Sequence, residues 1–183
     1  MNVIIDTSSL LALVRYYLPF DTNKSLKEFI KEKFVSGELI IIDRVFEEAS
    51  YISKGIILTE LDFLNDKKKH IKTTDILPNS TFFNLLENQF CNKDVKKLQD
   101  ITEVEFEFEK ERYLKMADAK MILFALSIKK ENPILVTEET KNANDNKLFK
   151  KLPDNCHTIN IECCNLPKLF KDHFGINISD YLK

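Results

Sequence analysis

The sequence predicts an α/β domain in which helices cover both faces of a parallel β-sheet. Three short, mostly β-branched runs have the length and composition of buried strands: residues 2–6, 39–42 and 134–137. Amphipathic stretches around them give the order β-α-α-β-α at the start of the chain. Strands that are apolar on both faces are typical of parallel sheets, because crossover helices cover each side.

Three helices are predicted in the first part of the chain. The first follows a cap at Ser8 or Ser9 and ends at Pro19, which cannot continue a helix. The second spans residues 25–35, where apolar side chains recur at helical spacing on one face. The third begins near Arg44, directly behind the second strand.

A charged segment occupies the middle of the chain, at about residues 56–113. Two to four amphipathic helices are predicted there, as a helical insertion or lid inside a single domain of residues 1–183. The stretch EVEFEFE at 103–109 alternates strictly, which leaves a short strand open, but its charge density favours a helix.

The last part of the chain returns to shorter, more apolar elements. Residues 117–128 predict a strongly apolar helix, and Asn132 and Pro133 a turn before the third strand. Beyond that strand the pattern predicts, in chain order, a small basic helix at 147–151, a last strand at 158–161 and a last helix at 166–174.

Composition limits the class of protein. The chain has 183 residues, of which 44% are hydrophobic and 31% charged, with a net charge of −2. This is a globular composition, without the overall positive charge that a general nucleic-acid binder shows, although a local basic face stays open. The four cysteines form no CxxC pair and the three histidines lie far apart, which disfavours a zinc site. With no apolar run near 18 residues, we expect a reduced, cytoplasmic protein with no membrane partner.

Carboxylates follow the predicted strands. Asp6 ends the first strand, and Glu138 and Glu139 follow the third. Glu47 and Glu48 lie on the helix behind the second strand. Because ligands bind beyond the carboxyl ends of parallel strands, we expect these acids at one edge of the sheet.

Asp118 is a further acidic position. From Met116 to Ile128 the only charged residues are Asp118 and Lys120. A carboxylate buried in so apolar a helix is costly unless it is paired, and neighbouring acids raise each other's pKa. A hard divalent cation such as Mg²⁺ or Mn²⁺ would relieve both costs.

Each acid also has a purely structural interpretation. Asp6 could cap the first helix, and Asp118 could cap a helix that starts at Ala119. The glutamates could be solvated charges on helix faces.

Four pieces of the chain together resemble the PIN domain, a metal-dependent ribonuclease fold. They are VIIDTSSLL at 3–11, RVFEEA at 44–49, ADAKMILFAL at 117–126 and ILVTEE at 134–139. With RYYLPFD at 15–21, the chain looks most like a bacterial and archaeal PIN subgroup described only as a domain of unknown function.

The resemblance implies which acids bind the metal. These are Asp6, Glu48, Asp118 and Glu139. Glu48 is preferred over Glu47, because it flanks the apolar face of its helix while Glu47 points nearly opposite. Glu139 stands where the family usually has Asp.

Further residues complete the implied site. Asp145 is an alternative to Glu139 as the fourth acid, and the hydroxyl groups of Ser8 and Thr137 would orient the carboxylates. Lysines would hold RNA phosphates; the candidates are Lys67, Lys68, Lys69 and Lys72, and also Lys147, Lys150 and Lys151. Solvated helix faces are the alternative for both groups of lysines.

The implied function is Mg²⁺- or Mn²⁺-dependent hydrolysis of phosphodiester bonds in RNA. Many small PIN proteins are toxins neutralised by an antitoxin, and many dimerise, so an antitoxin and a second copy are expected partners. The alternative is a catalytically degenerate PIN-like module that binds RNA or protein. A phosphoaspartyl phosphatase is disfavoured, because it needs a second Asp two residues after the first, and here Asp6 is followed by Thr7 and Ser8. A flap-type nuclease is also disfavoured, because the chain is short for that class.

Overall fold

A four-stranded, fully parallel sheet forms the centre of the molecule. The computed structural model describes residues 1–140 and 146–182. The strands lie in the order β2-β1-β3-β4, with bounds β1 Val3–Ile5, β2 Leu39–Ile40, β3 Ile134–Val136 and β4 Glu162–Cys164. Helices flank the sheet, so the predicted α/β class is confirmed, and the architecture is consistent with a PIN-like fold.

Helices account for most of the remaining described chain. In chain order they are α1 Thr7–Ala12, α2 Ser25–Val35, α3 Asp43–Tyr51, α4 Ile56–Glu60, α5 Ser80–Leu85, α6 Lys93–Leu98, α7 Glu103–Leu114, α8 Ala117–Ser127, α9 Leu152–Ile159 and α10 Leu166–Lys168. π-Helical turns extend α1, α5 and α10, at Leu13–Tyr17, Leu86–Phe90 and Leu169–His173. Pro19 does not end the first helical run, because it lies inside a 3₁₀ turn at Leu18–Phe20.

The core lies around β1, β3 and α8. All residues of β1 and β3 are buried. Helix α8 buries Ala117, Ala119 and the run Met121–Ala125. A helix that is apolar around most of its circumference belongs in a core. Its burial places Asp118, in its first turn, next to the sheet.

The charged middle segment shares this core. Ile57, Phe82, Phe90 and Phe106 are buried in the same cluster as the strands. The stretch at 103–109 is helical, as favoured, because Thr102 starts α7 with a capping box to Glu105.

Two predictions near the end of the chain are wrong. Residues 147–151 are extended rather than helical, because Phe149 forms an antiparallel bridge with Cys91. The predicted strand at 158–161 falls on the end of α9 instead, whose first turn contains Pro153. Proline is favoured in the first turn of a helix, so Pro153 marks the start of α9. The last strand follows the helix, at β4.

The predicted start of α1 is wrong, whereas that of α8 is confirmed. Helix α1 begins at Thr7 with Asp6 as its N-cap, before the predicted cap at Ser8 or Ser9. Helix α8 begins at Ala117, as predicted, so the alternative interpretation of Asp118 as an N-cap is wrong. Among residues 1–140 and 146–182, no helix has the length and apolar character needed to cross a membrane.

Candidate functional site

The candidate site lies where the order of the strands reverses. The first strand, β1, is hydrogen-bonded to β2 on one side and to β3 on the other. In open parallel sheets, ligands bind beyond the carboxyl ends of the strands at such a switch point. Asp6 follows β1 and Thr137 follows β3; the Asp6 amide donates to the Val136 carbonyl at 2.9 Å.

Asp6 is held in one orientation by three hydrogen bonds. Its Oδ1 accepts from the Thr7 amide at 2.7 Å. Its Oδ2 accepts from the Ser8 hydroxyl at 2.6 Å and from the Thr137 hydroxyl at 3.0 Å. The residue is only 6% exposed. Asp6 therefore caps α1 and also presents a fixed carboxylate, with Ser8 and Thr137 placed as the sequence suggests.

Glu48, rather than Glu47, faces this carboxylate. The Thr7 hydroxyl donates to Glu48 Oε2 at 2.9 Å, and the Ala117 backbone donates to the same carboxylate. Burial raises the pKa of Glu48, and the nearby charge of Asp6 raises it further. Glu47 is exposed and forms an ion pair with Arg44 on the same helix.

Asp118 is the least satisfied carboxylate in the site. In the described part of the chain, no hydrogen bond reaches its side chain. Burial and the charges of Asp6, Glu139 and Glu48 raise its pKa to about 8, although the positive charge of Lys147 acts in the opposite direction. The other three predicted acids therefore all lie within electrostatic reach of Asp118.

The two acids after β3 have different surroundings. Glu139 Oε2 accepts from the Leu152 amide at 3.3 Å, and its Oε1 lies 3.7 Å from Lys147 Nζ. Glu138 is directed elsewhere, to the Leu166 amide at 2.8 Å. Neither is a solvated helix-face charge, because both lie in the loop after β3 and are partly buried.

The donor chemistry fits a hard divalent cation. The carboxylates offer only oxygen ligands, which suit Mg²⁺ or Mn²⁺. A cation would also stabilise the ionised form of Asp118, which no hydrogen-bond donor of the described chain compensates. Yet within residues 1–140 and 146–182, no three His, Cys, Asp or Glu side chains are close enough together to form a ready metal site. Asp145 lies outside the described residues.

A sequence comparison assigns the family. The profile of a family described as "Domain of unknown function (DUF4411)" matches residues 3–174. The chain belongs to the DUF4411 family. No curated protein and no solved structure matches it.

A cleft of about 240 Å³ adjoins the acids of this DUF4411 protein. Asp118 lies in its wall, and so do the three predicted lysines, Lys147, Lys150 and Lys151. The remaining lining residues are Glu109, Arg112, Tyr113, Met116, Leu148 and Phe149. The second group of predicted lysines is thus next to the acidic site.

The first group of predicted lysines lies beside β2. Ile71 forms a parallel bridge with Ile42, which attaches the lysine-rich segment to that end of the sheet. Lys67 packs its ammonium group over the Phe46 ring, 5.5 Å from its centroid. Lys69 donates to the Val35 carbonyl at 3.1 Å, while Lys68 and Lys72 are exposed.

Several residues that contribute to the site are not among those predicted from the sequence. Thr7 bridges α1 to Glu48. Burial raises the pKa of the Tyr113 hydroxyl, and the nearby charge of Asp118 raises it further. Asn155, fully buried, donates to the Tyr113 hydroxyl at 3.1 Å. The sequence does contain a signal for Thr7, because its hydroxyl group directly follows Asp6. For Tyr113 and Asn155 the sequence offers no signal of a role in the site beyond their residue type.

Proposed function

We propose that this DUF4411 protein is a metal-dependent endoribonuclease of the PIN type, which hydrolyses phosphodiester bonds in RNA. The observation that carries the proposal is Asp118, a carboxylate without a hydrogen-bond donor in the described chain, beside Asp6, Glu48 and Glu139. Mutually repelling carboxylates at a strand-order switch point are an arrangement that a cation stabilises.

The residues divide into those that would hold Mg²⁺ or Mn²⁺ and those that position them. Asp6, Glu48 and Asp118 would be ligands, with Glu139 direct or through water. When bound, the metal would supply a water of lowered pKa and neutralise charge on the phosphate. Ser8 and Thr137 hold Asp6 in place through its Oδ2. Lysines in the neighbouring cleft would bind RNA phosphates without reading sequence.

A second function, binding without catalysis, has an observation in its favour. Glu139 is already engaged by the Leu152 amide and by Lys147, and the acids of the described chain do not form a ready metal site. A PIN-like module that had lost its metal would show these features and would act by holding RNA or a protein. Metal binding separates the two functions.

Calorimetric titration of Mn²⁺ into the purified protein is the deciding experiment, since it needs no knowledge of the RNA target. We expect saturable binding that is lost in Asp118→Asn and Glu48→Gln. Glu47→Gln is the matched control, because Glu47 is exposed on the same helix and pairs with Arg44. No binding by the wild type at millimolar Mn²⁺ would reject the nuclease and favour the binding module.

We also propose that the protein acts in the cytoplasm as the toxin of a toxin–antitoxin pair. The support is the resemblance to PIN toxins, together with an exposed apolar surface on α6 and α7. Leu98, Val104 and Phe108 are 85%, 81% and 68% exposed, beside a groove of about 610 Å³. Large exposed apolar patches mark interaction sites.

Co-purification with the product of the adjacent gene tests this partner. Phe108→Asp should abolish the complex without unfolding the protein, whereas Tyr51→Asp, at an exposed aromatic residue on α3, should leave it intact. A dimer that dissociates in Phe108→Asp would instead assign the surface to a second copy of the chain.

A further inference from the structure

Two cysteines meet where the chain turns from α9 into β4. Cys156 lies on α9 and is fully buried, whereas Cys163 lies in β4 and is partly exposed; both are thiols. The chain reverses at Asn160, which has a left-handed backbone, and the Ile161 amide donates to the Cys156 carbonyl at 3.0 Å. This turn packs α9 against β4 and brings the two thiols into a hydrogen bond.

The neighbouring Cys164 is directed away from this pair. Successive side chains of a strand point to opposite faces of the sheet. Because Cys163 contacts Cys156 on α9, Cys164 points to the other face, where the charges of Lys168 and Asp172 act on it. A disulfide needs two side chains directed at each other, with Cα atoms within about 7 Å. Cys156 and Cys163 therefore form the pair whose orientation suits a disulfide.

We propose that Cys163 and Cys156 form a redox modification site, at which a peroxide converts the two thiols into a disulfide. The Cys163 thiolate would attack a peroxide oxygen, become a sulfenic acid and release hydroxide, which takes up the proton of the Cys163 thiol as water. The Cys156 sulfur would then displace the sulfenic hydroxyl group, which leaves with the Cys156 proton as a second water. The two sulfur atoms are oxidised and the peroxide is reduced.

The surroundings of the two thiols set the order of these steps. Cys163 is the more exposed of the two, so a peroxide reaches it first. The hydrogen bond with Cys163 and burial raise the pKa of the Cys156 thiol. Cys156 therefore stays protonated and out of reach of the peroxide until its neighbour is oxidised. An accessible thiol beside a second cysteine that resolves it is common in redox-sensitive proteins.

The two elements that the disulfide would join also hold the candidate site. The Leu152 amide, at the start of α9, donates to Glu139 at 3.3 Å. The Thr137 amide donates to the carbonyl of Cys164, in β4, at 3.0 Å. Oxidation would thus add a covalent bond between the two elements that contact the loop after β3. The disulfide would form whether or not the protein binds a metal or RNA.

Counting thiols after treatment with hydrogen peroxide tests the inference on the full chain. The folded protein is oxidised, quenched in acid, unfolded and alkylated, and its mass gives the number of thiols that remain of the four. The wild type should retain two, and dithiothreitol should restore all four. Cys163→Ser should keep each of its three thiols. Cys164→Ala is the matched control and should still lose two of its three.

Peptide mapping identifies the bonded pair. Trypsin releases residues 152–168 as one peptide, because no Lys or Arg precedes Lys168 in this stretch. Cleavage after Glu162 then separates Cys156 from Cys163, and the two pieces should stay joined until they are reduced. In Cys156→Ala the sulfenic acid of Cys163 should persist and react with dimedone.

Four results would overturn the inference. These are retention of all four thiols by the oxidised wild type, an undiminished loss of thiols in Cys163→Ser, no loss in Cys164→Ala, or a disulfide that joins two chains and appears as a dimer on a non-reducing gel. The second of these would assign the bond to a different pair of cysteines.

Discussion

Asp118 is the residue at which burial and charge conflict most strongly. Its side chain lies in the first turn of a core helix, within electrostatic reach of three other carboxylates. A carboxylate in such a position must be protonated, paired with a cation or destabilising. The proposed metal site would resolve this conflict by pairing Asp118 with a cation. The pH dependence of the stability of the metal-free protein measures how much the buried charge destabilises the fold.

Raising the pH should destabilise the metal-free protein through Asp118. Folding raises its pKa from 3.8 to about 8, so between these values the folded state binds more protons than the unfolded state. The free energy of unfolding should therefore fall as the pH rises from about 4 to about 8. Asp118→Asn cannot ionise and should lose less stability over this interval. Urea unfolding in EDTA between about pH 4 and about pH 8 measures the stability of the wild type and of Asp118→Asn. An equal loss of stability in the two proteins would contradict the raised pKa of Asp118.

Thr137→Val tests whether the hydroxyl groups around Asp6 orient it for a ligand. The variant removes the 3.0 Å bond to Asp6 Oδ2 and the acceptor of the Glu139 amide. We expect Mn²⁺ affinity to fall about tenfold and stability to fall by about 1–2 kcal/mol. Thr59→Val is the control, since Thr59 is exposed and its hydroxyl donates to the Gly55 carbonyl four residues earlier. Unchanged Mn²⁺ affinity would show that Thr137 is structural only.

At the scale of elements, the site depends on where helices start and stop. Asp6 and Glu48 meet because α1 starts at Thr7, whose hydroxyl reaches α3. Helix α3 ends near Tyr51 and the chain turns through Gly55 into α4. This turn allows α4 to pack back against α1 and α3.

Two glycine substitutions should separate backbone strain from steric clash. Gly37 has φ +80°, and a Cβ added there would meet open space. Gly55 has a similar φ of +74°, but a Cβ added there would lie 2.9 Å from the Ser50 carbonyl oxygen. Gly37→Ala should cost about 1 kcal/mol from the left-handed backbone alone. Gly55→Ala should cost about 2–3 kcal/mol, because the clash is added. Chemical denaturation of the two variants measures both losses of stability. Equal losses would mean that the turn at Gly55 relaxes enough to relieve the clash.

At the scale of the whole molecule, the middle segment and the sheet share one core. Phe82 and Phe90 are as fully buried as Ile4 and Ile5. A segment that contributes residues of this size to the common core cannot detach without exposing them to water. We therefore expect any lid role of residues 56–113 to involve their surface side chains.

Native-state hydrogen exchange should show one cooperative unit. Amides of α5 and its π-helical extension should open with the same free energy as those of β1, within about 1 kcal/mol, because both need global unfolding. The exposed turn at Lys67–Lys69 should exchange far faster and serves as the internal control. A much lower opening free energy for α5 would identify a separately folding insertion.

The sequence by itself predicted the elements that local pattern controls. The bounds of α2 were predicted as observed, and the end of α8 within one residue, because apolar spacing and terminal residues act within a few turns. The acidic positions were visible for the same reason, since Asp6 and Glu139 interrupt or follow apolar runs. Pro153 is also a local signal, since it marks the start of α9, a helix that the pattern does not predict and whose end overlaps the predicted last strand.

Only the tertiary structure decided how these acids relate to one another. Asp6 and Thr137 are 131 positions apart, yet their side chains are hydrogen-bonded, because β1 pairs directly with β3. Residues 147–151 are extended because of backbone bonds to the distant Phe90 and Asn92. The raised pKa of Asp118 and the cleft beside it likewise depend on groups from several elements. Local periodicity contains no information about such contacts, since burial and electrostatic interaction are set by what the completed fold places nearby.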